Sequence, residues 1–252
     1  MFVDIREKAS KTGRIDLSAI GFFTPSNLLP ILIFIRKAPP GIPIVPPDDP
    51  NVNSYLWYMQ SDLGAENRNK QNYLPVVSLP KVESECAPIL NKIYDLGENA
   101  GGKNAFRYLI GELVDNIYQH SLFKNALIMV QKYPRNEEMH LCIIDDGITI
   151  RGSLANAGMI LDDDQAIIDA IQGASSKNDD ERGKGLGSSM KLLTEGYRGN
   201  VLILSGGGAV HYDEEGAMRY LLSDMYKYEG TMISMIIPLT TAEVNVFDYA
   251  DL

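Results

Sequence analysis

Residues 105–121 read Ala105-Phe-Arg-Tyr-Leu-Ile-Gly-Glu112-Leu-Val-Asp115-Asn116-Ile-Tyr-Gln119-His120-Ser121. Phe106, Leu109, Ile110, Leu113 and Ile117 recur at helical spacing, which predicts a helix with one apolar stripe facing a core. Beside that stripe run Glu112, Asn116 and Gln119. A carboxylate one turn from a carboxamide can hold a water and a hard cation together, and Mg²⁺ takes few protein oxygens while keeping several waters. Alone, the same pattern is the solvated face of an amphipathic helix.

Downstream, 126–132 and 139–144 read as two paired strands joined by a Pro134-Arg135-Asn136 turn. The second runs into Leu141-Cys-Ile-Ile-Asp145-Asp146-Gly147-Ile148, an apolar strand ending in two carboxylates and a glycine. An acid there can accept a hydrogen bond from an exocyclic amine such as adenine's, and glycine lets a ligand approach the backbone. On its own it is a strand-ending turn. A helix follows over 162–172, then the polar loop 173–185, then a helix over 188–197. The loop contains Gly173-Ala-Ser-Ser176-Lys177 and leads into Arg182-Gly183-Lys184-Gly185-Leu186-Gly187-Ser188-Ser189. Alternate glycines ahead of a helix expose backbone N–H groups that suit phosphate. The pattern is neither GxxxxGK[ST] nor GxGxxG, so neither a Walker loop nor a Rossmann fingerprint applies. Strands over 200–205, 209–213 and 231–239 complete a mixed sheet with helices layered on one face.

Upstream, 84–98 is predicted helical and 64–72 is a polar linker. The N-terminal third reads as a separate small α/β unit. A strand within 14–23 and a turn precede Thr24-Pro25-Ser26, which opens a helix carrying Leu28 to Lys37. Six of the twelve residues from Pro39 to Pro50 are proline; Ile42-Pro-Ile-Val45 is a candidate short edge strand. A second helix is predicted over 53–63. The domain scheme is thus 1–72, 81–240 and a tail over 241–252. The apolar run Leu28 to Ile35 is richer than one small helix can bury against itself, so the N-terminal unit is expected to dock rather than swing.

The 252 residues carry 23 Lys+Arg against 33 Asp+Glu, a formal charge of −10. That argues against non-specific binding to nucleic acid or an anionic membrane. With 45 % apolar and 22 % charged residues the chain is of globular type. Cys86 and Cys142 form no CxxC or Cys/His cluster, so no disulfide framework or zinc site is expected. The first residues lack the apolar stretch of a signal peptide, and Leu28 to Ile35 is too short to span a bilayer. A cytoplasmic location is expected. His140 and His211 fall in predicted strands and read as structural or surface residues.

In this order and spacing, the three clusters resemble the GHKL superfamily of ATP-binding domains over roughly 85–240. Glu112…Asn116 is similar to its N box, Asp145-Asp-Gly147 to its adenine-binding box, and Gly183-Lys-Gly185-Leu-Gly187 to its glycine box beside the ATP lid. Thr149 stands where the usual DxGxG has its second glycine. Glu112 and His120 around Asn116 resemble the ExxxNxxxH form of anti-sigma-factor serine kinases. The N-terminal unit weakly resembles a STAS-like fold; a generic α/β domain reads equally well.

The resemblance implies an α+β, Bergerat-type two-layer sandwich that binds ATP and Mg²⁺. It implies Glu112 as general base on a water or a protein hydroxyl, and Asn116 as Mg²⁺ ligand. Asp145 would read adenine, Gly147 giving close approach. The implied nucleotide contacts also include Asp115, His120, Ser176, Gly183, Gly185, Leu186, Gly187 and Ser188, with charge from Lys177 or Lys184. A regulatory ATPase or serine/threonine-type protein kinase acting on a partner protein is the leading expectation, with a homodimer as one option for its assembly. The alternative is an ATP-gated switch without phosphotransfer. With about a dozen residues after Leu239, a transducer-coupled clamp is not expected.

Overall fold

The computed structural model describes residues 1–60, 73–97, 100–174, 185–240 and 242–249. Its centre is a seven-stranded sheet of β3 (Tyr73–Ser78), β4 (Ala126–Tyr133), β5 (Glu138–Asp145), β6 (Asn200–Gly206), β7 (Gly208–Asp213), β8 (Gly216–Leu221) and β9 (Tyr228–Pro238). The order across the sheet is β3-β4-β5-β9-β6-β7-β8. Every neighbouring pair is antiparallel, so the expected mixed sheet is an antiparallel one. The reason lies in the connections: tight turns join β4 to β5, β6 to β7 and β7 to β8, and such turns can only reverse the chain.

Helices α4 (Ala87–Leu96), α5 (Lys103–His120), α7 (Asp163–Ile171) and α8 (Gly185–Lys191) cover one face. α5 lays Phe106, Leu109, Ile110, Leu113 and Ile117 against Ile128, Val130, Leu141, Ile143 and Met235. The short α6 (Ile150–Asn156) follows β5. After α8 the chain continues in one wider turn, Leu192–Gly196, which buries Leu192 and Leu193. The last described residues return to this layer: the Val244 amide donates to the Gly101 carbonyl at 2.7 Å, and Val244, Val246 and Tyr249 pack on the core.

The opposite face is covered too. α1 (Phe2–Thr12), α2 (Pro25–Lys37) and α3 (Pro50–Gln60) form a third layer with a two-stranded parallel ribbon, β1 (Ile15–Asp16) and β2 (Ile44–Val45). The expected strand within 14–23 is only those two residues of β1, and the N-terminal residues ahead of it are helical. α2 starts where Thr24-Pro25 predicts, the Thr24 amide donating to Asn27 Oδ1 at 2.9 Å. Leu28, Leu29, Ile31, Leu32 and Ile33 are buried in a cluster with Leu127, Met129, Cys142, Ile144 and Met232 from β4, β5 and β9. The apolar run of α2 therefore finds its burial on the sheet, and Lys37 pairs with Glu229 of β9 at 2.6 Å. β3 carries the sheet back to Tyr73, ahead of residue 81.

Candidate functional site

The C-terminal half of α5, the end of β5, α6, the start of α8 and Thr231 of β9 enclose a cavity of about 100 Å³ on the helical face. Asn116, His120, Asp145, Gly185 and Leu186, all expected at the site, line it. They do so because the polar stripe of α5 runs beside its apolar stripe, at the edge where β5 ends.

Asp145 lies in the wall at 2 % exposure. Its Oδ1 accepts from the Gly147 amide at 2.8 Å. Burial pushes its carboxyl up to about 7, against the pull of the Gly147 amide and with help from the neighbouring Asp146 charge. The backbone beneath it is held twice: Tyr228 donates its hydroxyl proton to the Asp145 carbonyl at 3.1 Å, and a side chain on Gly230 would overlap that carbonyl. Asp146 has a different task. It accepts from the amides of Lys124 (2.8 Å) and Asn125 (2.6 Å) and from Asn125 Nδ2 (2.7 Å), pinning the turn between α5 and β4. Burial pushes its carboxyl up, but these bonds win and hold it below the usual range. Gly147 is needed because a Cβ there would overlap the Ser121 carbonyl oxygen, and that oxygen accepts from the Ile148 amide at 2.6 Å.

Asn116 donates Nδ2 to the Glu112 carbonyl at 2.8 Å. With its nitrogen so committed, its amide oxygen is the atom left to offer a cation. Glu112 is half-buried, and its carboxyl is raised by burial and by Asp115. Its Oε2 occupies the space where a Cβ on Gly185 would stand. Among the described residues no group of three His, Cys, Asp or Glu side chains could hold a metal alone. A cation here would need one or two protein oxygens plus water and ligand oxygens, which is how Mg²⁺ is commonly bound.

Other expected residues lie elsewhere. Asp115 does not line the cavity; it is on the α4 side of the helix, where burial and the charge of Glu83 raise its carboxyl. Successive helical residues are turned by about 100°, which points Asp115 away from its neighbour Asn116. Gly187 packs α8 on α7, a Cβ there overlapping the Ile171 carbonyl. Ser188 is buried and off the cavity. Ser176, Lys177, Gly183 and Lys184 lie outside the described residues.

Polar lining residues to which sequence reasoning assigned no role at the site include Ser121, Thr149 and Thr231. Thr149 caps α6, its hydroxyl accepting from the Gly152 amide at 3.0 Å, a helix start that a glycine would favour less. Thr231 is paired in register with Asp145 across β5 and β9, and only strand order reveals that.

No family model matches the chain, and no curated protein matches it. Among solved structures, a histidine kinase domain from the Erythrobacter litoralis EL346 blue-light activated histidine kinase is 14 % identical. That similarity covers 79 % of this chain and 76 % of that one, with a TM-score of 0.31. A likeness of that size fixes neither family nor activity. No described helix is long and apolar enough to cross a membrane.

Proposed function

We propose that this chain is an ATP-binding regulatory protein of the GHKL type, which hydrolyses ATP or phosphorylates a partner protein. The observation that supports this best is Asp145, a carboxylate buried at 2 % exposure in a cavity wall shared with Asn116 and Gly185. A buried acid in an otherwise largely apolar cavity is stabilised by each donor that meets it, and an exocyclic amine on a flat ring would add to the Gly147 amide. Asn116 would present its amide oxygen to Mg²⁺. Bound Mg-ATP would supply the transferable phosphoryl group. Glu112, its proton affinity raised by burial, would take the proton from a water or a partner's hydroxyl.

The reading is tested by titrating dialysed protein with ATP and GTP in Mg²⁺. ATP should bind tighter by roughly 5- to 150-fold, the equivalent of about 1–3 kcal/mol for an unmet buried acceptor. Equal affinity for the two nucleotides would remove the adenine assignment. Release of phosphate, or label on an added protein, then tells hydrolysis from transfer.

A further inference from the structure

A second cavity, of about 370 Å³, lies on the other face of the sheet, between α1, α2 and the start of β9. That is within the range of small-molecule pockets, roughly 300–1,000 Å³. Phe2, Ile33, Phe34 and Ile42 give it an apolar body. Three charged side chains line it: Arg6, Lys37 and Glu229. Lys37 and Glu229 pair with each other at 2.6 Å. The Arg6 guanidinium donates to the carbonyls of Met225 and Lys227 and forms no ion pair among the described residues. Arg6 also lies over the Phe2 ring at 5.6 Å, and its charge helps to lower the Glu229 carboxyl, so the described lining holds two cations to one anion.

We propose that this cavity binds an amphipathic organic anion, an apolar chain carrying one carboxylate, with the carboxylate on Arg6 and the chain against Phe2, Ile33 and Phe34. The charge selects the sign of the ligand. Arg6 is fixed in place by two backbone carbonyls, so little side-chain freedom is lost on binding. Its remaining N–H groups suit a carboxylate fork. The apolar body excludes inorganic anions as the main occupant, because they would leave that surface in water. Its rim at Ser10, Lys37, Pro39 and Glu229 is exposed, so a ligand can enter from solvent. Its back wall is Tyr228, the residue whose hydroxyl reaches the Asp145 carbonyl from this side of the sheet.

The test is calorimetric titration of nucleotide-free, full-length protein with decanoate, decanol and propionate, so the result does not depend on ATP binding. Decanoate should bind one-to-one with Kd in the range of about 10–100 µM. Decanol, lacking the charge, and propionate, lacking the chain, should each bind at least about tenfold more weakly. Arg6→Met should cost a similar factor. Because Arg6 also ties two loop carbonyls, a second variant is needed: Ser10→Leu, at an exposed position of the lining, should block decanoate without lowering the melting temperature. No decanoate binding, equal binding of decanol, or unchanged binding in Ser10→Leu overturns the proposal. So does retention on lipid vesicles without binding of free decanoate.

Discussion

The carboxylate of Glu112 fills the volume that a side chain on Gly185 would take, so the two positions are sterically exclusive. The group displaced is the tip of a flexible side chain rather than backbone. Gly185→Ala, which displaces only that tip, should therefore fold normally. It should nevertheless move Glu112 and cut turnover. Gly147→Ala meets the Ser121 backbone instead and should lose about 1–3 kcal/mol. Urea midpoints and ATP turnover for the pair check this; a Gly185→Ala enzyme with wild-type turnover would separate the two residues.

Asp145 predicts a pH dependence. Its folded carboxyl titrates near 7, well above its usual 3.8. Between those values the folded protein holds a proton that the unfolded chain has lost, so this group takes stability away as pH rises through the window. Asp145→Asn removes that loss. The variant should gain on wild type by about 3 kcal/mol more at pH 8 than at pH 5, about two pH units at about 1.4 kcal/mol each. Urea midpoints at the two pH values measure it, and a pH-independent difference counts against a buried, proton-holding Asp145. The same variant should weaken ATP binding sharply.

Glu112 and Asn116 should separate chemistry from binding. Glu112→Ala should still bind ATP but lose turnover by about 100- to 10,000-fold, the usual worth of a general base. Asn116→Ala should lose the Mg²⁺-dependent part of the affinity. Nucleotide titrations with and without Mg²⁺, beside initial rates, make the comparison. Wild-type turnover in Glu112→Ala would place the base elsewhere.

The third layer should behave as part of one cooperative unit. Leu29, on α2, is fully buried in the cluster that includes Leu127 and Ile144 of the sheet. Leu29→Ala should cost about 2–5 kcal/mol and shift the whole far-UV transition in urea. A bead on a string would instead show a second transition at the wild-type midpoint.

What the sequence disclosed follows from burial. α5 was legible because five apolar residues repeat on one stripe, and β5 because an apolar run ends abruptly in Asp145-Asp146-Gly147. β8 was not, because Ala217 to Leu221 are all exposed, leaving no alternation to read at this edge strand. α1 was missed because only Ile5 and Ala9 of its eleven residues are buried. β3 carries Pro75, which reads against a strand; at a sheet edge with an irregular register the missing N–H is tolerated. The docking of α2 was legible as excess apolar surface, but its target was not, because both faces of a strand such as 141–145 are apolar whatever covers them. At the site, Glu112 and Asn116 follow from helical spacing, whereas Thr231 meets Asp145 only through pairing of β5 with β9.

The placement of β9 between β5 and β6 has a consequence for how the chain is made. β4-β5 and β6-β7-β8 are hairpin-linked runs that can each form from near neighbours, yet within the sheet they are joined through β9, the last strand among the described residues. Tyr228 and Asp145, now bonded, are 83 residues apart. Until β9 arrives, α2 lacks the part of its target that Tyr228 and Met232 supply. Such long-range closure is slow and exposed to aggregation. Holding chaperones, and growth at low temperature, should therefore govern the yield of this protein more than the stability of its finished form does.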